Sequence, residues 1–180
     1  MAATRDSSSR IILLGSITED IITQPDGTIF RSLGGVLYQA SVFCALGRRV
    51  ELWAHLGENL ADEFYQLTAT WATLAPAGVK VVAQPGNRVH LRYPPEGERE
   101  EILENVVPPL AVKNLVGRIS SRDFLMVVVN SGFDFRLEDW RRLVERISGP
   151  IWLDIHSLVL EPVLGRPRRY RRLPEWPEWA

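Results

Sequence analysis

Ile11-Ile12-Leu13-Leu14-Gly15-Ser16 is a run of four aliphatic residues that stops at a glycine and a serine. Continuous apolar character over so short a span suits a strand buried on both faces of a parallel sheet, not one alternating between core and water. Val50 to Leu56, Val79 to Val82, Phe124 to Val129 and Ile151 to Ile155 repeat this character downstream. Helix-like stretches lie between them. From Val36 to Leu46 apolar residues occupy every face until Gly47, followed by Arg48 and Arg49, which predicts a buried helix with a glycine stop. Asn59 is placed to cap a second helix carrying Leu60, Phe64, Leu67 and Trp71, with Pro76 and Gly78 breaking it. Leu137 to Ile147 forms a third, with Leu137, Trp140, Leu143, Val144 and Ile147 inward. Strands alternating with helices imply βαβ units, right-handed crossovers and an α/β fold whose largely parallel sheet is flanked by helices on both faces.

Two stretches depart from this pattern. Ile21 to Thr23, the turn Pro25-Asp26-Gly27 and Thr28 to Leu33 read as a hairpin, because Asp-Gly supplies the positive φ of a tight turn, and Gly34-Gly35 ends it. Val89-His90-Leu91-Arg92-Tyr93 alternates apolar and polar residues, Pro94-Pro95-Glu96-Gly97 turns the chain, and Glu101 to Leu103 is placed to pair back. The two hairpins, roughly 21–33 and 87–104, predict a small antiparallel appendage on the main domain at 11–160. Residues 1–10 are small and polar and are expected to be disordered. The tail, 161–180, is basic and proline-punctuated, and its Trp176 and Trp179 have no evident strand to pack on.

The chain has 180 residues, 46% apolar and 24% charged, with a formal net charge of −1. It is long enough to bury a core, and its balanced charge makes nucleic acid and anionic membranes poor partners. The arginines around Tyr170 could touch RNA phosphates, but the net charge argues against that use. Cys44 is the single cysteine, so no internal disulfide forms and a cytoplasmic location is expected. No run reaches the ~20 apolar residues of a membrane span, and no apolar signal core opens the chain.

In an open parallel sheet, ligands bind beyond the carboxyl ends of the strands. Asp20 stands there, a carboxylate able to accept hydrogen bonds from neighbouring hydroxyls, although a solvated turn residue would look the same. Gly34-Gly35 offers unhindered N–H groups at a helix start. Asp154 and His156, two apart on a strand, share a face as metal ligands do, but no third ligand is evident. Ser157 beside them makes no triad, since adjacent side chains point to opposite faces.

Leu14-Gly15-Ser16-Ile17-Thr18-Glu19-Asp20, then Gly34-Gly35-Val36-Leu37-Tyr38-Gln39-Ala40 and Leu46-Gly47, resemble the first signature of the PfkB family, which includes ribokinase-like sugar and nucleoside kinases. Leu56-Gly57-Glu58-Asn59, Arg99 to Leu103, Val107 to Leu110, Val129 to Asp134 and Leu153 to Leu158 follow in the family's order. The resemblance implies that Asp20, Gly34 and Gly35 contact substrate hydroxyls. It places Gln39 where many members carry an asparagine that reaches the sugar, and adds Asn130 and Asp154 at strand ends. It makes the hairpins a β-lid that closes over a sugar or nucleoside and excludes water. It also implies ATP and Mg²⁺, and allows a homodimer formed through the lid.

The family's phosphoryl-transfer segment, Gly-x-Gly-Asp, does not occur here, and neither does its Asn-x-x-Glu stretch. No two glycines are separated by one residue and no Gly-Lys-Ser/Thr exists, which also removes the dinucleotide and Walker-type loops. No catalytic residue or metal ligand is therefore assigned. The expectation is a carbohydrate kinase lacking the C-terminal part of the fold and inactive alone, or else a non-catalytic module that senses sugars or nucleotides.

Overall fold

The computed structural model describes residues 9–180, so most of the expected disordered N-terminus lies outside the described residues. Five strands, β1 (Ile11–Gly15), β4 (Val50–Gly57), β5 (Leu74–Val82), β8 (Phe124–Val128) and β9 (Ile151–Asp154), form one sheet in the order β5-β4-β1-β8-β9. Every pairing in it is parallel. The aliphatic run of β1 lies at its centre and is fully buried from Ile12 onward: Ile12 and Leu14 join one core and Leu13 the other. Helices α1 (Val36–Ala45) and α2 (Ala61–Thr68) cover one face, and α3 (Leu137–Arg146) and α4 (Trp176–Trp179) the other.

The helices differ from expectation in detail. Helix α1 buries Val36, Leu37 and Ala40 but exposes Val42, so it is half-buried, and Gly47 (φ 68) turns the chain after it. Asn59 does not cap α2; its Oδ1 accepts a bond of 2.8 Å from the Gly86 N–H and anchors the entry to the lid. Leu67 is exposed and Trp71 lies beyond the helix. Pro76 and Gly78 are strand residues in β5, at the register shift opposite Glu51–Trp53, where an edge strand tolerates proline.

A second sheet holds β2 (Ile17–Thr23), β3 (Ile29–Gly35), β6 (Asn87–Arg92) and β7 (Glu100–Glu104) in the order β3-β2-β6-β7. Its two hairpins are antiparallel, but β2 and β6 run parallel, so the lid is mixed and not purely antiparallel. Strand β2 begins at Ile17, with only Ser16 between it and β1, which carries the chain straight from the main sheet into the lid.

The tail is also ordered where the sequence suggested nothing for it to pack on. Gly165 N–H donates to Leu103 O at 2.9 Å, Arg168 N–H donates to Glu101 O at 2.8 Å, and Pro167 bridges Ile102, so the tail covers the free edge of β7. Trp179 is buried and stacks on Trp140 of α3, with ring centroids 5.9 Å apart, while Trp176 is half exposed. No described helix is long and apolar enough to cross a membrane.

Candidate functional site

Asp20 lies within strand β2 and not in a turn, and alternation along that strand decides what it meets. Glu19 faces one side, where Arg31 Nε at 2.5 Å and Arg88 Nε at 2.6 Å hold it. Burial pushes that carboxyl's pKa up, but the two arginine hydrogen bonds outweigh burial and keep it below the ordinary value. Thr18 and Asp20 face the other side. Asp20 is only 6% exposed, yet no cation among the described residues bonds it: Thr18 Oγ1–H donates to Oδ1 at 2.6 Å and Tyr38 O–H donates to Oδ2 at 2.8 Å. Burial raises the Tyr38 pKa and the neighbouring negative charge adds to this, so the phenol stays a donor. A carboxylate has about four acceptor sites, so two remain free on Asp20.

Gly34 and Gly35 make this arrangement fit. A Cβ on Gly34 would overlap Asp20 Oδ2 and lie 2.8 Å from the Tyr38 ring. Gly35 has φ 64 and ψ −133, a backbone region that only glycine occupies readily, and a Cβ there would collide with the Ser16 carbonyl.

Between the carboxyl ends of the main sheet and the lid lies a cleft of about 180 Å³. This is small against the roughly 300–1,000 Å³ of drug-sized sites, and suits one sugar-sized ring. Thr18 and Asp20 of β2, Val89 and Leu91 of β6, and Arg99 and Glu101 by β7 form its roof; Gly35, Tyr38, Gln39, Asn130 and His156 complete it. Of the residues expected from sequence, Asp20, Gly35, Gln39 and Asn130 thus meet at one surface. Gly34 packs behind Asp20, and Asp154 lies off the cleft, where its Oδ1 holds His156 Nδ1 at 2.9 Å. Gln39 Oε1 is buried without a hydrogen-bond partner among the described residues. Larger, more apolar cavities lie elsewhere, one between α3 and α4 and one beside Trp152 at the amino ends of β1 and β8, and neither includes Asp20 or its neighbours.

Beneath the cleft a buried polar network ties the two sheets together. Asn130 Nδ2–H donates to Ser16 O at 2.9 Å, Asn87 Nδ2–H donates to Ser16 Oγ at 2.9 Å, and Ser16 Oγ–H donates to Asp134. Asp134 Oδ2 also accepts from Ser131 N–H at 2.8 Å, Ser131 Oγ–H at 2.9 Å and Gly132 N–H at 3.2 Å, which fixes the loop after β8. The Arg168 side chain is wholly buried; it donates to Glu101 Oε1 at 3.0 Å, Ser157 O at 3.2 Å and Glu161 O at 2.9 Å. Burial lowers its pKa, and the neighbouring Glu101 charge opposes that.

The sequence alone did not point to Tyr38, Glu101, Asp134 or Arg168 as parts of this site. Tyr38 stood inside the Gly34-Gly35 motif, and Ser131-x-x-Asp134 is a local turn signal, so both were within reach. The Glu101–Arg168 contact spans 67 positions and has no local signature.

The described residues contain no group of three histidine, cysteine or acidic side chains placed to hold a metal ion. The sequence has no Gly-x-Gly-Asp turn either, so no residues are assigned here to the Mg²⁺ and ATP that the resemblance implies.

No protein-family profile matches the chain, and no curated protein does. Solved structures do. A pyrophosphate-dependent kinase in the ribokinase family, complexed with a pyrophosphate analog and myo-inositol, superposes with TM-score 0.75 at 17% identity over 94% of this chain and 57% of that one. Ribokinase from Thermotoga maritima gives TM-score 0.64 at 18% identity over 83% and 54%. A Burkholderia thailandensis nucleoside kinase in complex with inosine gives 0.62 at 15% identity over 81% and 52%. The chain therefore spans slightly more than half the length of these structures. At such identities the likeness establishes the fold, which is ribokinase-like.

Proposed function

We propose that this chain is the acceptor-binding part of a ribokinase-like carbohydrate kinase, and that its cleft takes a hydroxyl-rich small molecule, a sugar, polyol or nucleoside. The observation that carries this reading is Asp20, a buried carboxylate that faces a ring-sized cleft at the strand ends and is bonded, among the described residues, by hydroxyls and no cation, with acceptor sites free. Two hydroxyls of a vicinal diol would complete it. Gly35 and Asn130 shape the wall beside it, and Gln39 has an unpaired oxygen to offer a further hydroxyl. The lid would exclude water, which competes with the acceptor for a phosphoryl group.

Transfer itself calls for a base and an anion-holding turn, and the 180 residues supply neither in the form this fold uses. The chain by itself is accordingly read as binding without transfer, the behaviour of a sensing module as well as of an incomplete kinase. Exposed Ile29 and Phe30 on the edge strand β3 support a homodimer through the lid.

Calorimetry with myo-inositol, ribose and inosine tests the reading. At least one of these should bind, and Asp20→Asn should weaken it by about tenfold or more, the effect of leaving a hydroxyl unpaired in a closed site. Binding that is indifferent to Asp20→Asn, or no binding by any polyol, would show that the cleft has another purpose.

A further inference from the structure

The charges around the cleft are unevenly compensated. Besides the Tyr38 phenol, four ionisable side chains line it: Asp20, Arg99, Glu101 and His156. Glu101 is buried and already neutralised by the wholly buried Arg168 at 3.0 Å. Arg99 nevertheless leans on the same carboxylate, Nη2 to Oε2 at 3.2 Å. One glutamate thus faces two arginines; Asp134 lends Arg168 a second negative charge, and Arg99 is the arginine that faces the cleft with most of its donors unspent. Glu100 does not balance it, because its carboxylate lies 3.6 Å from Arg92. Asp154 lies off the cleft, bonded to His156. At the other end Asp20 is bonded only by neutral hydroxyls. The cleft is therefore dipolar, with a carboxylate bonded only by hydroxyls on β2 and a half-exposed guanidinium with free donors at the entrance to β7.

A neutral polyol satisfies only the first end. A guanidinium carries five N–H donors in a planar fork, and its preferred occupant is an anionic oxygen group. Arg99 has spent one of them within the protein, and its side chain is 44% exposed, so the others are available.

We propose that the cleft selects a hydroxylated acceptor that also carries an anionic oxygen group, its hydroxyls on Asp20 and its anion on Arg99. This rests on the reading of the cleft as a polyol site. A carboxylate and a phosphate ester share the required chemistry, and the cleft's size favours a single ring or a short open chain.

Titration calorimetry on the full chain with three matched compounds, glucose, gluconate and glucose 6-phosphate, tests it. At least one anion is expected to bind about tenfold tighter than glucose, with the two anions distinguishing carboxylate from phosphate. That ratio should shrink as salt rises, fall to near one in Arg99→Gln, and be partly kept in Arg99→Lys, which retains charge without the fork. Equal affinity for glucose and both anions, or an anion preference unmoved in Arg99→Gln, would overturn the proposal while leaving the polyol reading intact. Anion binding indifferent to Asp20→Asn would overturn both.

Discussion

Gly34 has no side chain because the Asp20 carboxylate occupies the space one would fill. Gly34→Ala should displace that carboxylate and the Tyr38 ring together, and lower polyol affinity by about tenfold or more in calorimetry. Gly35→Ala should instead be felt in stability, by about 1–3 kcal/mol, since its backbone lies in a region closed to residues with a Cβ. A urea midpoint lower in Gly35→Ala than in Gly34→Ala distinguishes the two roles. The motif containing both glycines and Asp20 was legible in the sequence, because each part is local: a strand end, a glycine pair and a helix start. That Asp20 lies inside a strand was not legible, since Ser16 alone separates β1 from β2 and no turn signal marks the change of sheet. The direction of a side chain at a strand end was not legible either. Asp154 turns to bond the His156 N–H and ring, and it is His156 that reaches the cleft.

At the scale of elements, the hydrophobic runs marked all five parallel strands, and the Asp-Gly and Pro-Pro turns marked both lid hairpins. What they could not convey is how the hairpins meet. The parallel β2–β6 pairing and the clamp of the tail on β7 join positions far apart in sequence, and no periodicity reports such contacts. Arg168 shows why the clamp matters: its guanidinium bonds the lid through Glu101, the loop after β9 through Ser157 O, and its own hairpin through Glu161 O. Arg168→Ala strands the buried Glu101 carboxylate beside Arg99 alone. The expected loss is about 3–5 kcal/mol, the usual result of removing one partner from a buried pair. Equilibrium denaturation measures it, and Glu101→Gln in the same chain should return part of the loss, because the uncompensated charge goes with it. Additive losses in the double variant would mean that the two groups act independently.

The whole molecule responds to acid through ion pairs at both ends. Glu19 in the lid and Asp123 before β8 are each pushed up by burial but held below their ordinary values by arginine hydrogen bonds, from Arg88 and Arg31 in one case and Arg10 in the other. A carboxyl with a depressed folded pKa contributes stability that is complete above its unfolded value, about 4, and is lost as pH falls through the folded one. The urea midpoint should therefore hold down to about pH 5 and fall below it, with a shallower fall in Glu19→Gln. A second whole-molecule property follows from uneven cover. Helix α4 and the Trp140–Trp179 stack shield one face of the β8–β9 edge, contrary to the sequence expectation of an undocked tail. The opposite face is open: Trp152 is 60% exposed, and Ile11, Phe43, Phe124 and Met126 line a cavity of about 470 Å³ beside it. Among the described residues strand β9 is also the last in its sheet, so its outer N–H and C=O groups have no neighbouring strand there. An apolar patch next to an unpaired edge favours association. The isolated chain should accordingly self-associate as concentration rises, and Trp152→Lys, which puts a charge at the patch without touching the cleft, should suppress this in light scattering. Polyol affinity should be the same in that variant, because Trp152 and the cleft residues share no contact surface. Unchanged scattering in Trp152→Lys would place the association elsewhere, with the exposed Ile29 and Phe30 of the lid edge the next surface to test.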